Sequence, residues 1–157
     1  MTYIRSNGGK LKFAQDVVAK LSTFRQTRIS DPEAGGILLG RLIEGSTDVV
    51  LDEVTIPQKR DRWGRLFFRR NKKQAQAFVD LAWKSSGKAR IYLGEWHTHP
   101  EDDPTPSQQD IQNWHSISTN AVYEQDFLFF FIVGINKTGV WEIEKNTRVL
   151  VELQLSE

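Results

Sequence analysis

Apolar residues recur at helical spacing between Phe13 and Arg25, with Phe13, Val17, Val18, Leu21 and Phe24 on one side, and predict an amphipathic helix. The period then changes. Gly35 to Ile43 (GGILLGRLI) and Val49 to Ile56 flank Glu44-Gly45-Ser46-Thr47 and predict two strands of a hairpin. Leu66-Phe67-Phe68 predicts a third short strand. Helical spacing returns from Lys72 to Lys84, with Ala75, Phe78, Val79, Ala82 and Trp83 on one side, Asn71 ahead of it and Gly87 as its terminator. Arg90 to His99 reads as a strand, and Pro104-Thr105-Pro106 as a rigid loop, because Pro106 cannot continue a helix begun before it. A third helix starts at Ser107 and runs through Ile111 and Trp114. Phe127 to Ile135 is a continuous apolar run, the pattern of a strand buried on both faces. Val140 to Ile143 and Arg148 to Leu155 supply the last strands. Helices interleaved with strand groups predict an α/β fold around a mixed sheet, and a length of 157 residues predicts one domain over 1–157.

Composition narrows the chemistry. There is no cysteine, which excludes disulfides, thiolate ligands and a cysteine nucleophile. Twenty-one basic and 20 acidic residues nearly cancel, so bulk attraction to nucleic acid or a membrane surface is not expected. The N-terminus, Met1 to Arg5, lacks the apolar run of a signal peptide, and Phe127 to Val133 is far too short to span a bilayer, so a cytoplasmic protein is expected. One local exception is Lys59 to Lys73, where eight Lys or Arg residues alternate with Trp63, Phe67 and Phe68. Such a run is a solvated face or a platform for an acidic partner or substrate tail.

The informative stretch is Glu95 to Asp110, EWHTHPEDDPTPSQQD. Side chains two apart on a strand share a face, so His97 and His99 project together. Asp110, one turn into the following helix, can bring a carboxylate to the same point. Two imidazoles and one carboxylate leave a fourth tetrahedral position open, as in a catalytic zinc site rather than a structural one. Imidazole favours zinc over magnesium. The base that such a site needs could be Glu33, Glu95, Glu101, Asp102 or Asp103, and spacing alone does not choose among them. Glu95 also has a structural reading, as a partner of Arg90. Ser107 and Asp110 together resemble a capping box, a role that can coexist with metal binding. His115 is turned about 140° from Asp110 and points elsewhere. Trp114 shares a helix face with Asp110 and can wall the cleft, while Trp96 reads as packing.

His97-Thr98-His99-Pro100, followed by Ser107 and Asp110, resembles the motif H-[ST]-H-x7-S-x2-D of the JAB/MPN (JAMM) metalloproteases. Glu33-Ala34-Gly35-Gly36-Ile37-Leu38-Leu39-Gly40 resembles that family's E-x-x-G-[IL]-L-x-G strand. Tyr92 to Glu101 and the basic segment Arg62 to Arg70 are similar to a bacterial subgroup found in integrative elements and CBASS antiphage operons. The resemblance implies an MPN/JAB, cytidine-deaminase-like domain with a curved mixed sheet flanked by helices. It implies one Zn2+ per chain on His97, His99 and Asp110, with Glu33 as general base and then acid. Ser107 would donate to the oxyanion. The implied activity is hydrolysis of the isopeptide or peptide bond after the C-terminus of a conjugated protein. The implied substrate is a protein with a flexible C-terminal tail, a cGAS/DncV-like nucleotidyltransferase conjugate, with no nucleic-acid or membrane partner. The competing expectations are a peptidase for another ubiquitin-like protein and a catalytically silent MPN interaction module. A metallo-β-lactamase-like hydrolase needs H-x-H-x-D-H, and Glu101 breaks that pattern.

Overall fold

A computed structural model describes residues 1–65 and 67–156. Leu66, placed in a strand above, and Glu157, the end of the expected domain, lie outside the described residues. The first half of the chain forms β1 (Thr2–Ile4), β2 (Lys10–Phe13), α1 (Gln15–Ser22), β3 (Gly35–Leu42), β4 (Val49–Val54), β5 (Arg62–Gly64), β6 (Phe67–Arg69) and α2 (Lys72–Ser85). The second half forms β7 (Ile91–Thr98), α3 (Gln108–Asn120), β8 (Phe127–Val133), β9 (Thr138–Glu144), β10 (Leu150–Glu152) and β11 (Gln154–Leu155).

Nine strands make one sheet in the order β10-β9-β8-β7-β3-β4-β2-β1-β11, and β5 and β6 pair as a separate two-stranded sheet. β7 pairs in parallel with β8 and antiparallel with β3, so the sheet is mixed as expected. Its two ends are consecutive in the chain: β10 and β11 are separated by Leu153 alone. Leu153 is buried and its N–H bonds to Val140 O at 2.8 Å. The chain thus crosses from one edge of the sheet to the other in a single residue, and the curved sheet nearly closes. This break divides the single strand expected over Arg148 to Leu155, whose first residue sits at φ +58°.

The helix expected over Phe13 to Arg25 is also shorter. Lys10-Leu11-Lys12-Phe13 alternates outward and inward, and Phe13 pairs with Leu51 in a parallel ladder, so the period of two wins there. At its C-terminal end the hydroxyls of Ser22 and Thr23 donate back to Val18 O and Lys20 O, and the helix stops at Ser22. The hairpin β3–β4, helix α2 and the buried strand β8 fall where the sequence places them. Phe129 and Phe131 face one core cluster, with Leu11, Phe13, Leu38 and Trp96. Phe130 and Ile132 face another, under α3, with Trp114 and Trp141. Three helices flank the sheet, and among the described residues none is long and apolar enough to cross a membrane.

A bulge at Leu93 interrupts the β3–β7 ladder, because Leu38 pairs with Gly94 and Leu39 with Tyr92. Gly94 takes φ +139°, and a Cβ there would lie 1.8 Å from Phe129 O, so only glycine fits this close approach. The bulge turns Tyr92 and Glu95 toward one another although they are three residues apart, and the Tyr92 hydroxyl donates to Glu95 Oε1 at 3.3 Å.

Candidate functional site

His97 lies in the last turn of the β7 ladder, opposite Gly35, and His99 lies just past the strand end, where its N–H bonds to Val133 O at 3.2 Å. Two-residue alternation points both rings into one cleft and Thr98 into the opposite face. The two Nε2 atoms stand 3.0 Å apart. Asp110 completes the group: its Oδ1 is 3.2 Å from His97 Nε2 and its Oδ2 3.3 Å from His99 Nε2. A tetrahedral ion held at about 2.0–2.1 Å sets its ligand atoms about 3.3 Å apart. The spacings lie near that edge length, with each imidazole facing a different oxygen of Asp110, so the donor set is of a kind and size that suits a small divalent cation. Two ring nitrogens so close cannot both carry a proton toward each other, and a cation between them removes the conflict.

Asp110 is delivered by the start of α3. Ser107 is the N-cap: its hydroxyl accepts from Asp110 N at 3.1 Å, and Asp110 Oδ2 accepts from Ser107 N at 2.8 Å, a complete capping box. The Ser107 hydroxyl proton goes to Asp110 Oδ2 at 2.6 Å. The cap and the ligand geometry therefore use the same aspartate. Burial raises the Asp110 carboxyl, but hydrogen bonds from His97 and His99, the His97 charge and Ser107 outweigh it and hold the group far below its ordinary range. Burial lowers His99, yet its hydrogen bond to Asp110 and the neighbouring carboxylates outweigh that and raise it.

Glu33 sits two residues ahead of β3, with its N–H bonded to Gly64 O at 2.8 Å. One carboxylate oxygen and one nitrogen from each of His97 and His99 lie within 4.8 Å of one another. Burial pushes the Glu33 carboxyl up to about 7, against an opposing pull from His99 and with a push from Asp110. A group that titrates near neutrality within one water's reach of a cation site is suited to moving protons.

The other candidate bases are committed elsewhere. Glu95 lines the cleft but is held by Arg70, whose Nε donates to Oε1 at 2.8 Å and whose Nη2 makes a second, shorter contact. Arg90, its expected partner, instead pairs with Asp52 and Glu53. Glu101 Oε2 is 3.7 Å from His99 Nδ1, on the far side of the ring from Asp110. Asp102 accepts from Asn136, and Asp103 pairs with Lys137. The Arg70–Glu95 pair had no sequence signal beyond Gly94, the one residue that marks the bulge turning β7. Trp114 is 3% exposed, stacks on Phe130 and walls the cleft 6.3 Å from the His97 ring. Trp96 is core, with its Nε1 donating to Thr55 O. His115 is not among the cleft residues.

The cleft encloses about 770 Å³ and runs from the histidines to the β5–β6 hairpin, where Phe67, Phe68, Arg69 and Arg70 form its basic and aromatic end. A smaller cavity of about 400 Å³ lies on the other side of Glu33, between Phe24, Arg28, Pro57 and Trp63.

Residues 14–145 match the family model described as prokaryotic homologs of the JAB domain. A protein of Escherichia coli (strain TW11681) named CD-NTase/cGAS isopeptidase is 36% identical over 126 residues, covering 80% of this chain and 76% of that protein. A protein of the same name from Vibrio cholerae is 33% identical over 74% of this chain and 71% of its own length. Another, from Pseudomonas aeruginosa, is 40% identical over 62% of this chain, which spans 63% of that relative's length. Among solved structures, a protein of Desulfitobacterium hafniense aligns with TM-score 0.58 at 20% identity, over 90% of this chain and 88% of that one, a likeness of fold.

Proposed function

Because the chain belongs to the family of prokaryotic homologs of the JAB domain, we propose that it is a zinc-dependent isopeptidase that releases the C-terminus of a conjugated cGAS/DncV-like nucleotidyltransferase. The relatives named for that activity support the substrate class. The convergence of His97, His99 and Asp110 at 3.0–3.3 Å carries the reading. Residues 1–157 act as one domain, since β1 and β10, outside the matched segment, are bonded into the same sheet.

His97, His99 and Asp110 would hold the ion. When bound there, zinc supplies Lewis acidity to a water and to the scissile carbonyl. Glu33 accepts the proton that the attacking water loses, which its position near neutrality allows. The same carboxyl then protonates the leaving amine, so one residue serves as base and acid in turn. Ser107 turns its hydroxyl proton from Asp110 to the oxyanion of the tetrahedral intermediate, and a donor of this kind is worth about 10²–10³ in rate. The basic end of the cleft, at Arg69 and Arg70, receives the C-terminal tail ahead of the cleaved bond.

The test uses a nucleotidyltransferase joined through its C-terminus to a fluorescent protein. Zinc-loaded wild type should separate the two, and chelation should stop it. His97→Ala should lose stoichiometric zinc together with turnover. Undiminished cleavage by stripped protein would overturn the metal reading. Cleavage of a ubiquitin-like fusion in place of the nucleotidyltransferase fusion would correct the substrate alone.

A further inference from the structure

We propose that Thr98 and Gln26 are positioning residues that hold the Glu33 peptide against the metal-binding strand from the face of the sheet opposite the cleft; this rests on the proposed function for its catalytic part. Glu33 lies in a segment without regular structure, between the loop at Asp31-Pro32 and the first residue of β3. A carboxylate on such a segment needs external ties to stay within about 1 Å of its working position.

Three ties meet there, and two of them run through Thr98. Its hydroxyl accepts from Ala34 N at 2.9 Å, and its backbone N–H donates to Ala34 O at 2.9 Å. The residue between the two histidines therefore grips the residue after Glu33 by both its backbone N–H and its C=O. The third tie is the bond from Glu33 N to Gly64 O.

Gln26 locks these ties together. The Thr98 hydroxyl donates to Gln26 Oε1 at 2.8 Å. Gln26 Nε2 donates to Asp31 O at 3.1 Å and to Arg65 O at 3.3 Å. Asp31 lies two residues before Glu33, and Arg65 follows the glycine that accepts the Glu33 N–H. One amide thus clips both strands of chain that meet at Glu33. Thr98 is 0% and Gln26 2% exposed, so water cannot replace these bonds. Because β7 alternates, the same strand presents His97 and His99 to the cleft and Thr98 to the clip. Thr98 thus couples the ligand strand to the segment that carries the carboxylate.

The test compares wild type, Thr98→Val, Thr98→Ser and Gln26→Met. Turnover is read on the fusion substrate with zinc-loaded proteins, and amide exchange on the metal-free proteins. Thr98→Val is expected to lower kcat about 10–100-fold, with KM and bound zinc within about twofold of wild type. Exchange at Glu33 and Ala34 should quicken at least about tenfold while β8 amides keep their protection. Thr98→Ser keeps the hydroxyl and should restore both readouts, and Gln26→Met should behave like Thr98→Val. Unchanged exchange at Ala34, or a loss of zinc in step with the loss of rate, overturns the proposal. If Thr98→Val fails to fold, Gln26→Met decides on the same two readouts. If wild type cleaves nothing, the proposed function fails and the exchange measurement alone judges the clip.

Discussion

Two glutamates in this protein, Glu142 buried and Glu33 half-buried, stand in opposite conditions. Glu142, on β9, is 3% exposed and faces Arg5, with Arg5 Nη2 2.8 Å from Oε1 and Ser6 N 3.2 Å from Oε2. The guanidinium lies 3.9 Å above the Phe127 ring. Charge and hydrogen bonds compensate Glu142, a cation–π contact supports its partner Arg5, and the pair ties the start of the chain to β9 across the nearly closed sheet. Among the described residues no lysine or arginine pairs with Glu33, and burial is the largest influence on its carboxyl, ahead of an opposing pull from His99. The first arrangement fixes a charge and serves the fold. The second leaves a proton free to move, as the proposed chemistry requires. The more deeply buried of the two is the compensated one, so compensation rather than depth sets their roles apart.

Replacing each by its uncharged isostere should split the two roles. Glu33→Gln is expected to cut turnover of the fusion substrate by about 10²–10⁴, with zinc content and far-UV spectrum unchanged. Glu142→Gln should leave turnover of the folded enzyme within a few-fold of wild type. A Glu33→Gln enzyme as fast as wild type would break the comparison. Glu95 would then become the preferred base despite its bond to Arg70.

The reverse asymmetry should appear in stability. Glu142→Gln leaves the Arg5 charge buried without its partner, at a cost of about 3–5 kcal/mol. The urea midpoint should fall accordingly. Combining Arg5→Met with Glu142→Leu removes both charges and should recover most of that loss, because a buried pair replaced as a whole is close to neutral. A double variant no better than Glu142→Gln would mean that the aromatic contact of Arg5, not the pairing, stabilises this junction.

The same contrast explains what could be read in the sequence. Short-range chemistry was visible: His97, His99, Ser107 and Asp110 lie within one strand end, one loop and one helix turn, so period and spacing bring them together. The hairpin of β3 and β4 and helix α2 carried their own turn and cap residues. Compensation was invisible wherever it spans the chain. Nothing around Glu95 points to Arg70 rather than Arg90, because the choice depends on how the β5–β6 segment packs over β7. Nothing around Gln26 points to Thr98, 72 residues on. β1 and β2 are short strands whose alternation is too brief to outweigh the helical period that follows. The break at Leu153 is set by closure of the sheet, which no local pattern encodes.

The smallest expected effect isolates the uncompensated carboxyl itself. In the metal-free protein Glu33 is raised from 4.5 to about 7, so the folded state binds more protons than the unfolded chain between those values. Stability held by that proton is complete below about 4.5 and is lost as pH rises through about 7. His99, also raised, loses its contribution in the same direction; its hydrogen bond to Asp110 and the Asp110 charge persist in the variant, and only the smaller share owed to the Glu33 charge is removed. Glu33→Gln cannot ionise. Metal-free Glu33→Gln should therefore melt above wild type at pH 8, by on the order of 5 °C, with the gap closing toward pH 5. The variant that destroys turnover would thus be the more stable protein at neutral pH, the sign expected when a residue is kept for chemistry at the expense of the fold. A gap that stays level from pH 5 to 8 would show that burial does not hold this proton, and the contrast with Glu142 would lose its physical basis.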